Sequence, residues 1–357
     1  MAVAQNTTAT GMNGWASQAA GASGLQRVGQ IDQAPRYRLK FSGSTIQDEN
    51  GNTYVPKGWN WGRWGFSQSQ DAFNHALYKA TIVRVVLRWW GLYANAGNDS
   101  YLQGAPGGVN PVNLAALDEQ ISWIIAQGMW VNLAIDSNCG QNGNQDAPTI
   151  AYCSWNGVGT GQNFWLNSAA RDAFKALWQF IANRYKNVSR IAWYEVLPEP
   201  APPTFTDADI KTFYSEMITT IRAVDADTPI LIGGSGYLPN KASTVYDATF
   251  AKTVYTADYL NPAMTGGTMA TKLGQLTSVR DTNNVPVFAQ QAGDITSSDV
   301  DYSLLNAGLG LLVTNNVGYT YWEYRGSTNA TNYEPLYQVG AGWAVDQGKL
   351  DAINSHF

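Results

Sequence analysis

The chain contains few of the residues that bind metals or nucleic acids. Its 357 residues include two histidines and two cysteines, and no Cys/His spacing resembles that of a zinc site. Charged residues make up 14% of the chain, against roughly 25% in an ordinary soluble domain. Lys and Arg nowhere form a cluster that could neutralise a phosphate backbone. We therefore expect no metal, no other cofactor and no nucleic acid partner.

Long apolar runs are also missing. The longest, at residues 121–125 and 309–313, fall far short of the roughly 20 residues that cross a bilayer. The first residues show neither the basic segment nor the apolar core of a secretory signal. We expect that any such signal has been removed or was never present, and that the chain has no membrane span.

The only two cysteines, Cys139 and Cys153, bracket a stretch rich in Gly, Asn and Gln that has the composition of a loop. A disulfide across such a loop is typical of proteins from oxidising compartments. We interpret the pair as a disulfide, with two free thiols as the alternative. On this interpretation the protein is secreted or periplasmic.

The N-terminal residues differ in composition from the rest. Residues 1–35 are rich in Ala, Gly, Ser, Thr, Gln and Asn without a sustained period, which predicts a flexible tail. Residues 36–357 hold no second segment large enough for a core of its own once one domain is assigned. We expect one domain with a tail, and a monomer.

Strand-like and helical patterns alternate along this domain. From Arg36 the sequence first alternates and turns at residues 49–52, which predicts a β-hairpin that caps the bottom of the domain. Eight strand-like runs separated by helical patterns then predict an α/β fold, a (β/α)8 TIM barrel. The predicted strands are 55–61, 82–87, 130–135, 191–197, 229–232, 253–260, 285–289 and 318–324. The predicted helices are 67–80, 113–126, 169–185, 207–224, 271–282, 298–314 and 346–354, and the helical pattern is weakest at 241–252.

Aromatic residues are concentrated where such a barrel carries its chemistry, beyond the C-terminal ends of the strands. The loops after the second and third predicted strands contain Trp90, Tyr93, Tyr101, Trp155 and Trp165. Aromatic rings stack on the apolar faces of sugars, so these loops predict a saccharide cleft. The alternative is that the rings only pack the loops.

The segment at 191–200, IAWYEVLPEP, begins as a buried strand and ends in a carboxylate. A period of two places Glu195, Leu197 and Glu199 on one side, with Glu199 at the C-terminal lip of the barrel and Glu195 deeper. A deep carboxylate needs a partner, and Arg84 of the second strand can supply it. We interpret Arg84 and Glu195 as a supporting pair and Glu199 as the reacting group.

From about Arg36 to its end the chain resembles glycoside hydrolase family 5, the cellulase-like retaining hydrolases of clan A. The similar features are Gly58-Trp-Asn60, the Arg84 strand, Glu195-x-x-x-Glu199-Pro200, the Pro286-Val-Phe strand that ends in Gly293, and a last strand with Trp322. The resemblance implies a (β/α)8 barrel that acts on a β-linked polysaccharide or oligosaccharide, with Glu199 as general acid/base. The residues expected to contact the sugar are Arg84, Asp136, Trp61, Trp90, Tyr259 and Trp322.

Four positions depart from the family pattern. Pro198 stands where the family has an asparagine that hydrogen-bonds the sugar 2-hydroxyl, and Gln291 stands where it has the nucleophilic glutamate. Asp136 replaces a histidine near the end of the third strand. The stretch Tyr259-Leu-Asn261 stands where a histidine is expected after the sixth strand.

An amide cannot form the glycosyl ester that retaining hydrolysis requires, and three explanations stay open. Gln291 is a deliberate substitution that traps substrate, which leaves the other departures unexplained. Alternatively the enzyme is active: Asp136, Asp294 or Glu323 completes a pair with Glu199, in an inverting mechanism at roughly 6.5–9.5 Å, or Gln291 orients a group of the substrate. The third explanation is a barrel that binds saccharide without cleaving it.

Overall fold

The structure is a computed structural model that describes residues 37–61, 74–90, 101–103, 111–136, 165, 168–200, 206–261, 268–294, 301–324, 337–338 and 344–357. The predictions for the N-terminal tail and for Cys139 and Cys153 lie outside these residues. They stay predictions.

The described chain begins with a hairpin of two antiparallel strands, β1 (Lys40–Ser42) and β2 (Thr45–Gln47). The predicted hairpin is confirmed, but its turn lies earlier than residues 49–52. Gly43 makes the turn with a left-handed φ of 58°, a conformation that glycine adopts without strain. Residues 49–52 belong instead to a second turn, in which Asp48 Oδ1 accepts the backbone N–H of Asn52 at 2.8 Å.

A parallel sheet follows the hairpin and closes into a barrel. Its first strand, β3, pairs with both the second and the last strand, so the eight barrel strands form a ring and confirm the predicted (β/α)8 barrel. A ninth short strand, β5, pairs only with β4 at its outer end. The strands are β3 (Lys57–Asn60), β4 (Ile82–Trp90), β5 (Tyr101–Gln103), β6 (Trp130–Asp136), β7 (Ile191–Val196), β8 (Ile230–Gly233), β9 (Thr253–Asn261), β10 (Val287–Asp294) and β11 (Gly318–Tyr321).

The hairpin covers the bottom of the barrel, as expected. Leu39 and Ile46 are buried against inward-facing apolar residues at the N-terminal ends of the barrel strands. The chain before β1 is fixed at the same end, where Tyr37 N–H donates to Ser189 Oγ at 2.9 Å. The lower part of the interior is therefore an apolar layer. Its barrel residues include Ile82, Trp130, Trp193, Leu231, Val254 and Phe288.

Helices between the strands form the outer layer. They are α1 (Pro111–Ala126), α2 (Ser168–Tyr185), α3 (Asp207–Arg222), α4 (Met269–Asn283), α5 (Ser303–Thr314) and α6 (Gln347–Asn354), and residues 74–77 are also helical. Where the helical pattern is weakest, two 3-10 helices, Ser235–Tyr237 and Pro239–Val245, connect β8 to β9. Two short strands, β12 (Tyr337–Gln338) and β13 (Ala344–Val345), pair before α6.

Side chains of β7 show how the strands separate the two sides of the wall. Tyr194 packs outward against Trp178 of α2, with ring centroids 5.7 Å apart. Trp193 packs inward against Phe288 of β10 at 4.8 Å. This alternation directs the next odd-numbered residue, Glu195, into the barrel.

Candidate active site

Above the apolar layer the interior of the barrel is polar. Arg84 of β4 and Glu195 of β7 form a doubly hydrogen-bonded ion pair, Nε to Oε2 and Nη2 to Oε1, both at 2.6 Å. Asn132 Nδ2 donates to Glu195 Oε2 at 2.8 Å, and Arg84 Nη1 donates to Asn60 Oδ1 at 2.7 Å. Although burial disfavours its charge, the Glu195 carboxylate raises the pKa of Arg84. The predicted pairing is confirmed.

The partners of Arg84 bear on the expectation that it contacts the sugar, which stays a prediction. Its side chain is buried, and each guanidinium nitrogen donates to Glu195 or Asn60. The described contacts of Arg84 are thus those of a residue that supports Glu195.

A β-bulge in β10 turns two consecutive glutamines towards the barrel interior. The register with β9 pairs Ala289 with Ala257 but Gln291 with Asp258, so Gln290 is the extra residue of the bulged strand. We call this feature the Gln290 bulge. In a regular strand Gln290 and Gln291 would point to opposite faces.

Side chains of three neighbouring strands hold the Gln290 bulge. Its N–H donates to Thr256 Oγ1 at 3.2 Å, and its carbonyl accepts from Asn60 Nδ2 at 3.0 Å and Thr320 Oγ1 at 2.5 Å. Its side-chain amide donates to Asp258 Oδ1. The bulge is thus tied into the polar layer, which we define as Asn60, Arg84, Asn132, Glu195, Thr256, Gln290 and Thr320.

Glu199 lies just beyond the end of β7, at the mouth of the barrel. Leu197 and Glu199, on either side of Pro198, have left-handed φ values of 46° and 50°. Such a conformation costs a non-glycine residue of order 1–3 kcal/mol and is common at functional sites. The alternation of the strand therefore ends at Val196, and Leu197 packs in the outer core instead of beside Glu195 as predicted.

Neighbouring groups hold this strained turn. The Tyr214 hydroxyl of α3 donates to the Leu197 carbonyl at 3.3 Å. The backbone N–H of Gly236 donates to the Pro200 carbonyl at 2.7 Å. Contacts on both sides of Glu199 therefore fix its position.

The two predicted catalytic positions meet at this mouth. Gln291 Nε2 donates to Glu199 Oε1 at 3.0 Å. The exposed fractions are 9% for Glu199 and 7% for Gln291, so both keep a small accessible surface. The fourth and seventh barrel strands thus bring together the acid/base position and the position of the missing nucleophile.

Sequence reasoning missed Asp258, a second carboxyl group of this region. Asp258 is 4% exposed, and its Oδ2 has no hydrogen-bond partner among the described residues. Burial raises its pKa well above the usual value, and the nearby charge of Glu199 raises it further. Strand alternation could have revealed it. Asp258 lies two residues after the inward-facing Thr256 and therefore points into the barrel as well, and it directly precedes Tyr259-Leu-Asn261.

Several predicted sugar-binding residues lie elsewhere. Trp61 is buried with its ring centroid 5.6 Å from that of His75, outside the polar layer. Tyr259 is buried on the outer side of the wall, facing Gly308 of α5. Trp165 is buried against Phe213 of α3 at 5.1 Å, which fits loop packing. The contacts described for these three rings are with His75, α5 and Phe213.

Trp322 is placed closer to the predicted site. It follows β11, and its N–H donates to the carbonyl of Ala292, the residue after Gln291, at 2.8 Å. Glu323 beside it is buried. The side chains of Trp90, Asp136 and Asp294 lie outside the described part of the structure, so their roles stay predictions.

Within the described residues no group of His, Cys, Asp and Glu side chains is arranged to hold a metal ion. Within the same ranges, no helix combines the length and the apolar character needed to cross a membrane.

The fold and the site thus define a (β/α)8 barrel with a carboxyl group at the lip of its fourth strand. A family model described as cellulase, glycosyl hydrolase family 5, matches residues 44–328. The chain therefore belongs to glycoside hydrolase family 5. No curated protein matches the sequence.

Solved structures share the fold at low identity. An endogalactoceramidase is 15% identical with a TM-score of 0.71, covering 90% of this chain and 85% of that one. Endo-glycoceramidase II from Rhodococcus sp. is 17% identical with a TM-score of 0.68, covering 87% and 80%. Cel5A of Thermotoga maritima, solved with mannotriose, is 14% identical with a TM-score of 0.63, covering 84% and 97%.

Proposed function

We propose that the protein is a glycoside hydrolase acting on a β-linked polysaccharide or oligosaccharide, with Glu199 as general acid/base. The observation that carries the proposal is the contact between Glu199 and Gln291 at the mouth of a family 5 barrel. Related barrels solved with mannotriose, cellobiose and cellopentaose support a saccharide as the substrate.

The chemistry follows from the groups that meet at the mouth. Glu199 protonates the oxygen that leaves the anomeric carbon, which is the task of the acid in both glycosidase mechanisms. Gln291 has no carboxylate to form a glycosyl ester, so water attacks the anomeric carbon directly. A second carboxylate then takes the proton of that water, and the product has inverted configuration.

Asp136 and Asp294 are our candidates for that second carboxylate. They end β6 and β10, two strands of the same parallel barrel, so their backbones lie at the rim where Glu199 lies. An inverting pair needs roughly 6.5–9.5 Å between its carboxyl groups. Asp294 approaches from β10, across the mouth from β7, whereas Asp136 approaches from β6, the strand next to β7. Glu323 is buried and suits this role less well.

The number of altered positions supports natural divergence over a single deliberate substitution. Gln291 is accompanied by Pro198 before the acid/base, and by Asp136 and Tyr259-Leu-Asn261 where the family has histidines. Changing one residue of a standard family 5 site does not produce the other departures.

A non-catalytic saccharide-binding barrel is the second candidate function. The observation that favours it is again the Gln291 amide, because its N–H occupies one oxygen of Glu199. Binding through the mouth needs neither a nucleophile nor a base.

Reducing-sugar release from a panel of β-glucans and bacterial exopolysaccharides tests the proposal. We expect slow hydrolysis by the protein, a loss of about 10²–10⁴-fold in Glu199→Gln because the acid is removed, and an inverted product by proton NMR. Asp225→Asn, at a buried carboxyl in the turn before β8, is the control and leaves turnover unchanged.

Two other results would contradict the proposal. Saccharide binding by calorimetry without hydrolysis of any substrate identifies a binding protein. A large gain in Gln291→Glu with retained configuration identifies Gln291 as a substitution in a retaining enzyme.

A further inference from the structure

Asp258 is a buried acid that the proposed chemistry does not use. Glu195 is matched by the Arg84 guanidinium, and Glu199 accepts the Gln291 amide. Asp258 Oδ1 accepts only the Gln290 amide, and its Oδ2 has no partner among the described residues. A buried carboxylate without a cation is costly. The surroundings therefore favour the protonated, neutral form of the Asp258 side chain.

The charges around Asp258 favour its neutral form. Burial is the largest cause that raises its pKa, the charges of Glu199 and Glu195 add to it, and Arg84 and the Gln290 amide oppose it without prevailing. The one nearby lysine, Lys272 of α4, is directed to the Leu260 carbonyl. Among the described residues, the charged and amide groups that act on Asp258 are Glu195 of β7, Glu199 just beyond β7, Arg84 of β4, Gln290 of β10 and Lys272 of α4.

Asp258 is linked to Glu199 through the Gln290 bulge. It holds the side chain of Gln290, while Thr256, Asn60 and Thr320 hold the backbone of the same residue. The bulge allows the next residue, Gln291, to face the mouth and reach Glu199. Without the extra residue Gln291 would turn to the outer face.

We propose that Asp258 is a positioning residue for Gln291, acting as a neutral acid that anchors the Gln290 side chain and so aims the Gln291 amide at Glu199. Its kinetic readout rests on the proposed hydrolase function, whereas the contact that it controls exists in either candidate function. Asp258 does not touch the substrate in this account.

The full-length variants Asp258→Asn and Asp258→Ala test the role. Asparagine keeps an oxygen acceptor for Gln290 and matches the neutral acid in shape, and alanine removes the acceptor. Protein labelled with ¹⁵N-glutamine reports the Gln291 side-chain amide, assigned by its loss in Gln291→Glu. We expect that resonance to be unchanged in Asp258→Asn and shifted in Asp258→Ala. Because the displaced Gln291 amide no longer holds the Glu199 carboxyl in place, we also expect kcat of the alanine variant to fall by up to about 10²-fold with KM little changed, the cost that a misplacement of about 1 Å can carry.

Each other outcome has a defined meaning. An unshifted Gln291 resonance in Asp258→Ala overturns the positioning role, and an asparagine variant as damaged as alanine overturns the neutral acid. If the unaltered protein hydrolyses nothing, the proposed function fails while the resonance still decides the position of Gln291. If Asp258→Ala does not fold, Gln290→Met removes the same contact from the other side and is expected to shift the same resonance.

Discussion

At the scale of single residues, the centre of the barrel depends on two opposite charges removed from water. Arg84 and Glu195 are buried and satisfy each other with two hydrogen bonds of 2.6 Å. Asn60 and Asn132 take the remaining hydrogen bonds of the pair. Such a pair specifies one arrangement strongly, because either partner alone is a buried charge without compensation.

We expect Arg84→Met to lower the free energy of unfolding by about 3–5 kcal/mol, since it leaves the Glu195 carboxylate buried without its cation. The double variant Arg84→Met/Glu195→Gln removes both charges and is expected to recover part of that loss. Urea unfolding of both variants measures the difference. Equal stability of the single and double variants would contradict this account of the pair.

Asp258 gives a prediction for stability as a function of pH. Its pKa is about 3.8 in the unfolded chain and well above that in the folded protein, so between the two values the folded state binds more protons. Stability therefore falls as the pH rises through this window. Asp258→Asn does not titrate and is expected to be more stable than the unaltered protein at pH 7, with the gain disappearing below about pH 4. Thermal unfolding at both pH values measures this, and an equal deficit at both would count against it.

At the scale of elements, the sequence predicts the strands well and their irregularities poorly. All eight barrel strands lie within a few residues of the apolar runs that predict them. A strand of a parallel barrel is buried on both faces, so its sequence is a nearly continuous apolar run. The Gln290 bulge and the left-handed turn at Leu197 and Glu199 leave no comparable pattern. They arise from hydrogen bonds between strands far apart in sequence.

The site was predictable to the same extent. Glu195 follows from strand parity, Arg84 from the need of a buried carboxylate for a partner, and Glu199 and Gln291 from the family resemblance. The structure brings these four into one connected region. Tyr259, and not Asp258, was predicted on the inner face of β9. Because neighbouring residues of a strand point to opposite faces, this error of one residue hid Asp258. The same error accounts for Tyr259, which was expected at the sugar and packs against a helix.

At the scale of the whole molecule, the barrel holds together only if its first and second strands meet. Gly58 of β3 lies at that junction, where an added Cβ would stand 1.7 Å from the Ile82 carbonyl oxygen of β4. The close approach of the two backbones therefore requires glycine. Gly274 offers a contrast, because it is exposed in helix α4 and an added Cβ meets no described atom within 4 Å.

We expect opposite results from alanine at these two glycines. Gly58→Ala forces the closing strands apart and is expected to unfold the domain or to lower its melting temperature strongly. Gly274→Ala is expected to add roughly 0.5–1 kcal/mol, because glycine is unfavourable inside a helix. Thermal and urea unfolding of the two proteins checks this, and a tolerated Gly58→Ala would mean that the closure at β3 is looser than described.

The contact between Glu199 and Gln291 also bears on the ancestry of the protein. Glutamine and glutamate codons differ at a single base, and the two side chains are nearly equal in size. Because the Gln290 bulge is held by its own backbone and side-chain contacts, exchanging residue 291 requires no rebuilding of the strand. A gene lineage can therefore exchange an amide for a carboxyl group at position 291 by one point mutation, without a change in the strand that carries it.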